Sequence, residues 1–521
     1  MSTARERNWW GWGFADGRID PAPMAAYARE TLGFGSDEIE DPVSLESIVL
    51  PPPRLDTAGM ASLSTDKLDR IHHSLGKSYL DTIRAFRGSI EHPIDAVAHP
   101  SDELELEDVL AWAQTRNAAV IPYGGGTSVV GGVEPRVPDR FDGAISLDLS
   151  ALDRVLEVDP VSRSARIQAG ASGPVLEDQL REHGMTMRFF PQSFELSTLG
   201  GWVATRAGGH FATARTHIDD LVESIRAITP TGLWESRRLP GSGAGVSPDR
   251  MLLGSEGTLG VVTEAWMRVQ PRPEHRASRA VRFKTYEAAC DAVRAVVQSG
   301  LTPANCRLLD PTEAVQTGAG DGVHSVFVLG FESTEVEVSE LLRQGLAICT
   351  QHGGEFDEPS GESGGSAVEA WRGAFLAMPY LRDALLRCGV LSDTFETSIT
   401  WDRFPGFHRD VMAATRAGLG EPCRVSCRFT HVYPDGPAPY ITVIAPARRG
   451  EEIEQWWEFK RAASDAIIEA GGTITHHHAV GRDHRAWYDA QRPDVFAAAL
   501  AGAKSVVDPS GMLNPGVLID S

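Results

Sequence analysis

The eight residues Ile121-Pro122-Tyr123-Gly124-Gly125-Gly126-Thr127-Ser128 carry the sharpest local chemistry of the chain. An apolar run stops at a proline and turns through three glycines into two hydroxyls. Glycine permits positive φ and lets backbone N–H groups approach an anion with no Cβ in the way. The pattern predicts a phosphate or pyrophosphate cradle. It is not a P-loop, because no Gly-Lys-Ser/Thr follows, nor a GxGxxG turn running into a long helix. A bare turn between two strands is the structural alternative.

A second concentration is His476-His477-His478. Extended backbone sends alternate side chains to opposite faces, so at most two of the three would share a metal. No carboxylate cluster accompanies them in the sequence. The expectation is therefore no metal, and an active-site or surface role for the imidazoles. Cys423 and Cys427 lack a second pair to complete a tetrahedral zinc site and read as buried or half-buried thiols. The remaining cysteines, Cys290, Cys306, Cys349 and Cys388, are scattered, unlike a disulfide framework, and fit a reducing cytoplasm.

These groups need elements to position them. The stretch 93–100 alternates as a strand. Residues 101–117 open with a Ser cap and an acidic first turn before apolar residues at helical spacing, and 118–126 then reads as a short buried strand ending in the glycine turn. Further strands are expected at 144–150, 154–159 and 164–170, with a helix at 174–184 that Gly184 can end. Prolines at 271 and 273 mark a boundary before a new strand (277–283) and helix (285–300). A long helix from 451 is expected to lead through a strand into the three histidines.

Composition bounds the class. A chain of 521 residues exceeds one hydrophobic core, and 42% hydrophobic with 23% charged residues is ordinary for a globular enzyme. With 49 basic against 71 acidic residues the formal charge is −22, which opposes nucleic acid and anionic leaflets, so an anionic substrate must meet a local basic pocket. No window reaches the ~18 apolar residues of a membrane span. The expected organisation is a helical N-terminal extension at 1–85, a first α/β-rich domain at 86–275, a second α+β domain at 276–450, and a C-terminal segment at 451–521 that completes the site and the first domain.

Three more segments, with the glycine turn, resemble in order the flavin-binding pieces of the vanillyl-alcohol-oxidase-like fold. Pro191-Gln192-Ser193-Phe194-Glu195-Leu196-Ser197-Thr198-Leu199-Gly200-Gly201-Trp202 is similar to P-D-S…S-T-x-G-G-W, and Thr205-Arg206-Ala207-Gly208 to T-R-A-[SG]. Gly254-Ser255-Glu256-Gly257-Thr258-Leu259-Gly260-Val261-Val262-Thr263-Glu264 is similar to G-S-E-G-T-L-G-[IV]-[IV]-T-E. The resemblance implies an α+β protein with a PCMH-type FAD-binding domain, an α+β cap domain for substrate, and FAD held by the residues of these motifs. Gln192 departs from the usual Asp. Relatives that bind FAD covalently carry a His after the glycines; here Thr127 stands there and His210 lies in another segment, so the flavin is expected to be non-covalent.

The chain further resembles the alkylglycerone phosphate synthase family. Trp10-Gly11-Trp12-Gly13-Phe14-Ala15-Asp16 is similar to its W-x-G-W-G-[YF]-x-D, Phe395 to Ser398 with Trp401 to Phe404 to F-E-T-S-x-x-W-D-R, and Thr475-His476-His477-His478-Ala479-Val480-Gly481 to S-H-H-H-G-V-G. That resemblance implies exchange of the ester-bound acyl chain of acyl-dihydroxyacetone phosphate for a fatty alcohol, giving an ether-lipid precursor without net redox. By the same resemblance Tyr440 transfers a proton, with His478 or its neighbours supplying the cation a phenolate needs. Arg382 binds phosphate, and Arg307 matches an activity-sensitive arginine or else holds Asp310. The family's lipids imply transient contact with a membrane, and its members imply a homodimer. The tail Asp508-Pro509-Ser510-Gly511-Met512-Leu513-Asn514-Pro515-Gly516 looks instead like the D-P-x-G-x-L-N-P-G ending of FAD-dependent 2-hydroxyacid (lactate or glycolate) dehydrogenases, which keeps that oxidoreductase class open. A flavin-binding scaffold without catalysis is a third reading.

Overall fold

The computed structural model describes residues 5–60, 62–209, 211–357 and 366–520; His210 lies outside them. A four-stranded sheet orders Leu63–Ser64, Ala96–Ala98, Gly143–Asp148 and Ala118–Tyr123, the last three parallel. Parallel strands need both faces covered, and these are buried almost throughout. The helix Glu103–Thr115 crosses between two of them and buries Leu106, Val109, Leu110 and Ala113. Its cap is Asp102 rather than the expected Ser101. The Asp102 carboxylate accepts the Glu105 amide at 2.9 Å, while Glu105 reaches back to the Ser101 amide at 2.8 Å, so the box forms one residue later.

A second, antiparallel sheet orders Val155–Asp159, Ser164–Gln168, Val261–Arg268, Val222–Thr229 and Gly232–Glu235. The helix expected to run to Gly184 spans Gly173–Arg181, and Gly184 turns the chain with φ +69° three residues further on.

The third sheet decides the site. Six antiparallel strands run in the order His275–Phe283, Ser325–Ser333, Asn305–Leu309, Arg424–Val432, Pro437–Pro446 and Val390–Glu396. Strand side chains alternate between faces. Cys306, Leu308, Val425, Cys427, Phe429, Ile441 and Val443 enter a large core with the helices Tyr286–Gln298, Phe404–Leu419 and Glu452–Glu469. Their alternates, Arg307, Arg428, Thr430, Tyr440, Thr442 and Ile444, line a cavity on the opposite face.

One expectation, the strand leading into the three histidines, fails here. The helix Glu452–Glu469 packs Trp456, Phe459, Ala463 and Ile467 into the core of this third sheet. Residues 471–478 form no strand, and His476–His478 bend. Among the described residues no helix is long and apolar enough to cross a membrane.

The ends of the chain are fastened by polar groups. Trp10 and Trp12 are buried, Tyr380 packs against Gly13, whose φ is +69°, and the Trp12 amide donates to Asp383. At the other end Lys504 Nζ donates to the carbonyls of Thr258 and Leu513, both at 2.7 Å, and pairs with Asp508 at 2.6 Å. Asp508 in turn accepts the amides of Met512 and Leu513. Removing one partner of a buried pair leaves the other uncompensated, so Lys504→Met should cost about 3 kcal/mol, read as a lowered urea midpoint with unchanged slope.

Candidate active site

One cavity of about 510 Å³ lies between the third sheet and the glycine turn. The turn enters it as an anion cradle. The backbone N–H groups of Gly124 to Ser128 donate to no protein acceptor among the described residues, as an anion nest requires. Gly125 is pressed against the Leu196 carbonyl and Gly124 against the Thr198 hydroxyl, so the turn and the 191–202 segment fit only without side chains there. A Cβ on Gly201 would meet the Thr198 hydroxyl at 3.5 Å and otherwise enter the cavity. The residues present therefore fit a flavin pyrophosphate, and glycine backbone would admit a planar ring at close approach.

Of the residues expected to hold FAD, Pro122 to Ser128, Gln192, Ser193, Ser197, Thr198, Gly201, Thr205, Ala207, Gly208, Glu256, Gly257, Gly260 and Val262 border this cavity. The others do not. Phe194 packs on Gly173 and Trp202. Glu195 pairs with Arg5 at 2.7 Å and accepts from the Tyr380 hydroxyl at 3.0 Å. Arg206 pairs with Asp219 at 2.8 Å. Leu196, Leu259 and Val261 are buried core, and the Thr258 hydroxyl caps the Ser255 carbonyl at 2.7 Å. A motif read as a string includes the residues that only hold the turn in place. Glu256 does both: it borders the cavity, and its carboxylate accepts the amides of Val480 at 2.9 Å and Gly481 at 2.8 Å. Burial raises its pKa to about 7 against those two donors.

The three histidines are arranged by Glu396, a fully buried residue at the end of a strand. Its carboxylate accepts from the Thr475 hydroxyl at 2.6 Å and from the amides of His476 at 2.6 Å, His477 at 3.2 Å and His478 at 2.9 Å. Burial works against its charge, but these donors favour the carboxylate, and the carboxyl lies below its ordinary value. Three amides converging on one anion require a bend, which is why the strand expected here is absent. The bend also changes the metal argument: His431 from the third sheet joins His476 and His477, with ligand atoms of all three within 4.8 Å. Hydrogen bonds already occupy much of this group, His476 Nε2 with the Tyr433 hydroxyl at 2.6 Å and His217 at 3.1 Å, and His476 Nδ1 with His477 Nδ1 at 3.0 Å. His477 and His478 border the cavity; His476 stands behind them.

Tyr440 faces the cavity with His477 and His478 at ring distances of 6.2 Å and 5.5 Å. Its hydroxyl is 2.9 Å from Thr394 Oγ1. The cation beside it is not histidine, since burial pushes the pKa of His478 and His477 down and favours neutral rings. It is Arg428, whose guanidinium carbon lies 3.9 Å from the Tyr440 ring centre and which pairs with buried Glu313. Burial still raises the Tyr440 pKa above 10, only partly offset by Arg428, so the phenol keeps its proton at neutral pH. Arg428 was not singled out in the sequence; its signal is a charge between Cys427 and Phe429 in a strand, which places it on the opposite face.

Arg307 borders the cavity, fully buried, its pKa lowered to about 9 by burial and then by the like charge of Arg428. Asp310 takes the amides of Glu313 and Cys427, at 2.7 Å and 2.6 Å. Arg382 also borders the cavity and donates to the Lys77 carbonyl and the Thr82 hydroxyl, both at 3.0 Å, while among the described residues its buried Nε has no hydrogen-bond partner. The tail that looked like a dehydrogenase ending serves structure: Asn514 Nδ2 donates to the carbonyls of Gly132 at 3.1 Å and Glu256 at 2.8 Å.

Residues 94–236 match the family model described as an FAD binding domain, and residues 272–518 the one described as FAD linked oxidases, C-terminal domain. With the fold and the cradle, this defines an FAD enzyme of the two-domain PCMH class. The chain is 32% identical over 488 residues to an alkyldihydroxyacetonephosphate synthase of Caenorhabditis elegans, covering 88% of this chain and 81% of that one. It is 31% identical over 480 residues to the one of Dictyostelium discoideum, covering 88% and 78%. A solved alkyldihydroxyacetonephosphate synthase structure matches with a TM-score of 0.81 at 26% identity, covering 98% of each chain. The chain belongs to the alkyldihydroxyacetonephosphate synthase family.

Glu396→Ala would leave three amides and a hydroxyl buried without an acceptor. It should lower stability by about 3 kcal/mol and Glu396→Gln by less, compared by thermal unfolding of the FAD-loaded proteins.

Proposed function

We propose that this protein exchanges the acyl chain of acyl-dihydroxyacetone phosphate for a fatty alcohol, forming an ether bond with no net redox change. The observation that carries the reading is the meeting, in one cavity, of a flavin cradle, a cationic patch, a buried tyrosine and an apolar wall. Bound FAD supplies an electrophilic ring that accepts and returns an electron pair. The chain's own residues do the rest.

Arg307 and Arg382 take the phosphate, since a guanidinium offers paired donors to its oxygens and a buried cation gains most from an anion. Met24, Tyr27, Leu381, Leu385 and Ile444 on the cavity wall suit the long chains. The C2 ketone of the substrate acidifies its C1 hydrogens, so loss of the acyl carboxylate begins with a proton transfer. Tyr440 holds its proton at Oη and is the group that donates to and recovers it from substrate oxygen. His477 and His478 flank it, and because burial keeps their rings unprotonated their lone pairs are open to take the C1 proton, which returns to the substrate carbon when the alcohol has added.

Non-covalent FAD, a homodimer, peripheral contact with a membrane that holds the substrates, and a cytoplasmic location complete the reading. Acid precipitation should release all FAD into the supernatant, and light scattering should give twice the chain mass. With palmitoyl-dihydroxyacetone phosphate and labelled hexadecanol, Tyr440→Phe should lower kcat at least 100-fold with the flavin retained, and Arg382→Ala should raise KM for the phosphate ester about tenfold or more. Near-normal ether formation in both would remove the assignment. Bleaching of FAD by 2-hydroxyacids under anaerobic conditions, without alcohol exchange, would favour the dehydrogenase class instead.

A further inference from the structure

Three polar side chains on the cavity wall have no role in the reading above: Lys460, Asp483 and His484. Lys460 comes from the helix Glu452–Glu469 and is buried, with its Nζ 5.6 Å from the Phe395 ring centre and 5.7 Å from that of Trp456. Among the described residues no acceptor bonds its ammonium, and its nearest carboxylates, those of Asp393, Asp483 and Glu396, act on it without forming an ion pair. The Asp483 carboxylate accepts no hydrogen bond there either, although its backbone amide is held by the Val130 carbonyl at 3.1 Å. His484 is buried, and its Nδ1 lies 2.9 Å from the Ala479 carbonyl, which makes Nδ1 the protonated nitrogen. The neutral ring therefore has a bare lone pair at Nε2, and among the described residues that buried atom has no hydrogen-bond partner.

Native interiors rarely leave buried donors and acceptors unpaired, and here they border one cavity, with Lys460 acting electrostatically on both Asp483 and His484. What answers both must accept from Lys460 and donate to His484 or Asp483. A second anion does not, because Asp393, Asp483 and Glu396 already balance and exceed the one ammonium. A cation does not, because Lys460 repels it. A neutral hydroxyl does both at once.

We infer that Lys460, Asp483 and His484 form a subsite for an uncharged hydroxyl, and, on the reading proposed above, that the fatty alcohol presents its oxygen there. Burial, followed by the charge of Asp81, raises the Asp483 carboxyl to about 7, so Asp483 meets the hydroxyl as acceptor or donor near neutral pH. The Trp456 and Phe395 ring centres lie 5.7 Å and 5.6 Å from the ammonium, and Trp456 also borders the cavity, which offers an alkyl chain an apolar surface there.

The test is equilibrium binding of labelled 1-dodecanol and its methyl ether to the FAD-loaded protein. Wild type should bind the alcohol at least tenfold tighter than the ether. Lys460→Met, which keeps the stem length, and Asp483→Asn should each erase most of that difference while flavin content and melting temperature stay near wild type. In the exchange assay both should raise KM for the alcohol more than KM for the phosphate ester. The inference is overturned if wild type does not discriminate alcohol from ether, if both folded variants bind the alcohol within twofold of wild type, or if dodecanoate binds tighter than the alcohol through Lys460. Should wild type discriminate through Lys460 yet exchange no label, the subsite stands and the exchange reading falls.

Discussion

The molecule turns on two buried carboxylates that grip one short stretch of backbone. Glu396, from the six-stranded sheet, takes the amides of His476, His477 and His478, and Glu256, from the flavin-binding half, takes those of Val480 and Gly481. An anion that satisfies several amides at once costs far less to bury than a free one, and it fixes the chain that carries those amides. The stretch from 475 to 481 is thus tied to both halves, and its imidazoles are placed where they meet. Positive φ at Ala479 (+72°) and Gly481 (+55°) is the backbone cost of that turn. The family pattern has glycine where Ala479 stands; the left-handed φ is retained with a methyl group.

The cavity is then a consequence of two faces. One is backbone: glycines whose amides point inward and whose missing side chains let two segments touch. The other is a sheet face where Arg307, Arg428 and Tyr440 alternate with core residues. Buried guanidinium groups are tolerable only if anions meet them. Glu313 meets Arg428. Burial and the like charge of Arg428 lower the pKa of Arg307 to about 9.

The N-terminal tryptophan segment belongs to the same economy of contacts. Gly11 and Gly13 lie against Asp383 and Tyr380, and Trp12 and Arg382 both border the cavity. Two motifs separated by more than half the chain are one packed unit, with the tryptophan segment on Tyr380 and Asp383 while Arg382 between them donates to Lys77 and Thr82.

Local chemistry was readable in one dimension wherever one residue type answers one backbone demand. The glycine turn after Ala118–Tyr123 and the run around Gly200 and Gly201 are of this kind, because φ and close approach depend on neighbours in sequence. So was family membership, through motifs whose order survives even where single residues, Gln192 and Ala479, depart. What sequence did not reveal depends on partners far along the chain. The bend at His476–His478 needs Glu396 some eighty residues away, the cation beside Tyr440 is Arg428 from the neighbouring strand, and Glu195, read as a flavin ligand, is claimed by Arg5 and Tyr380. Burial decided the protonation of the histidines and of Tyr440, and burial is a property of the packed molecule alone.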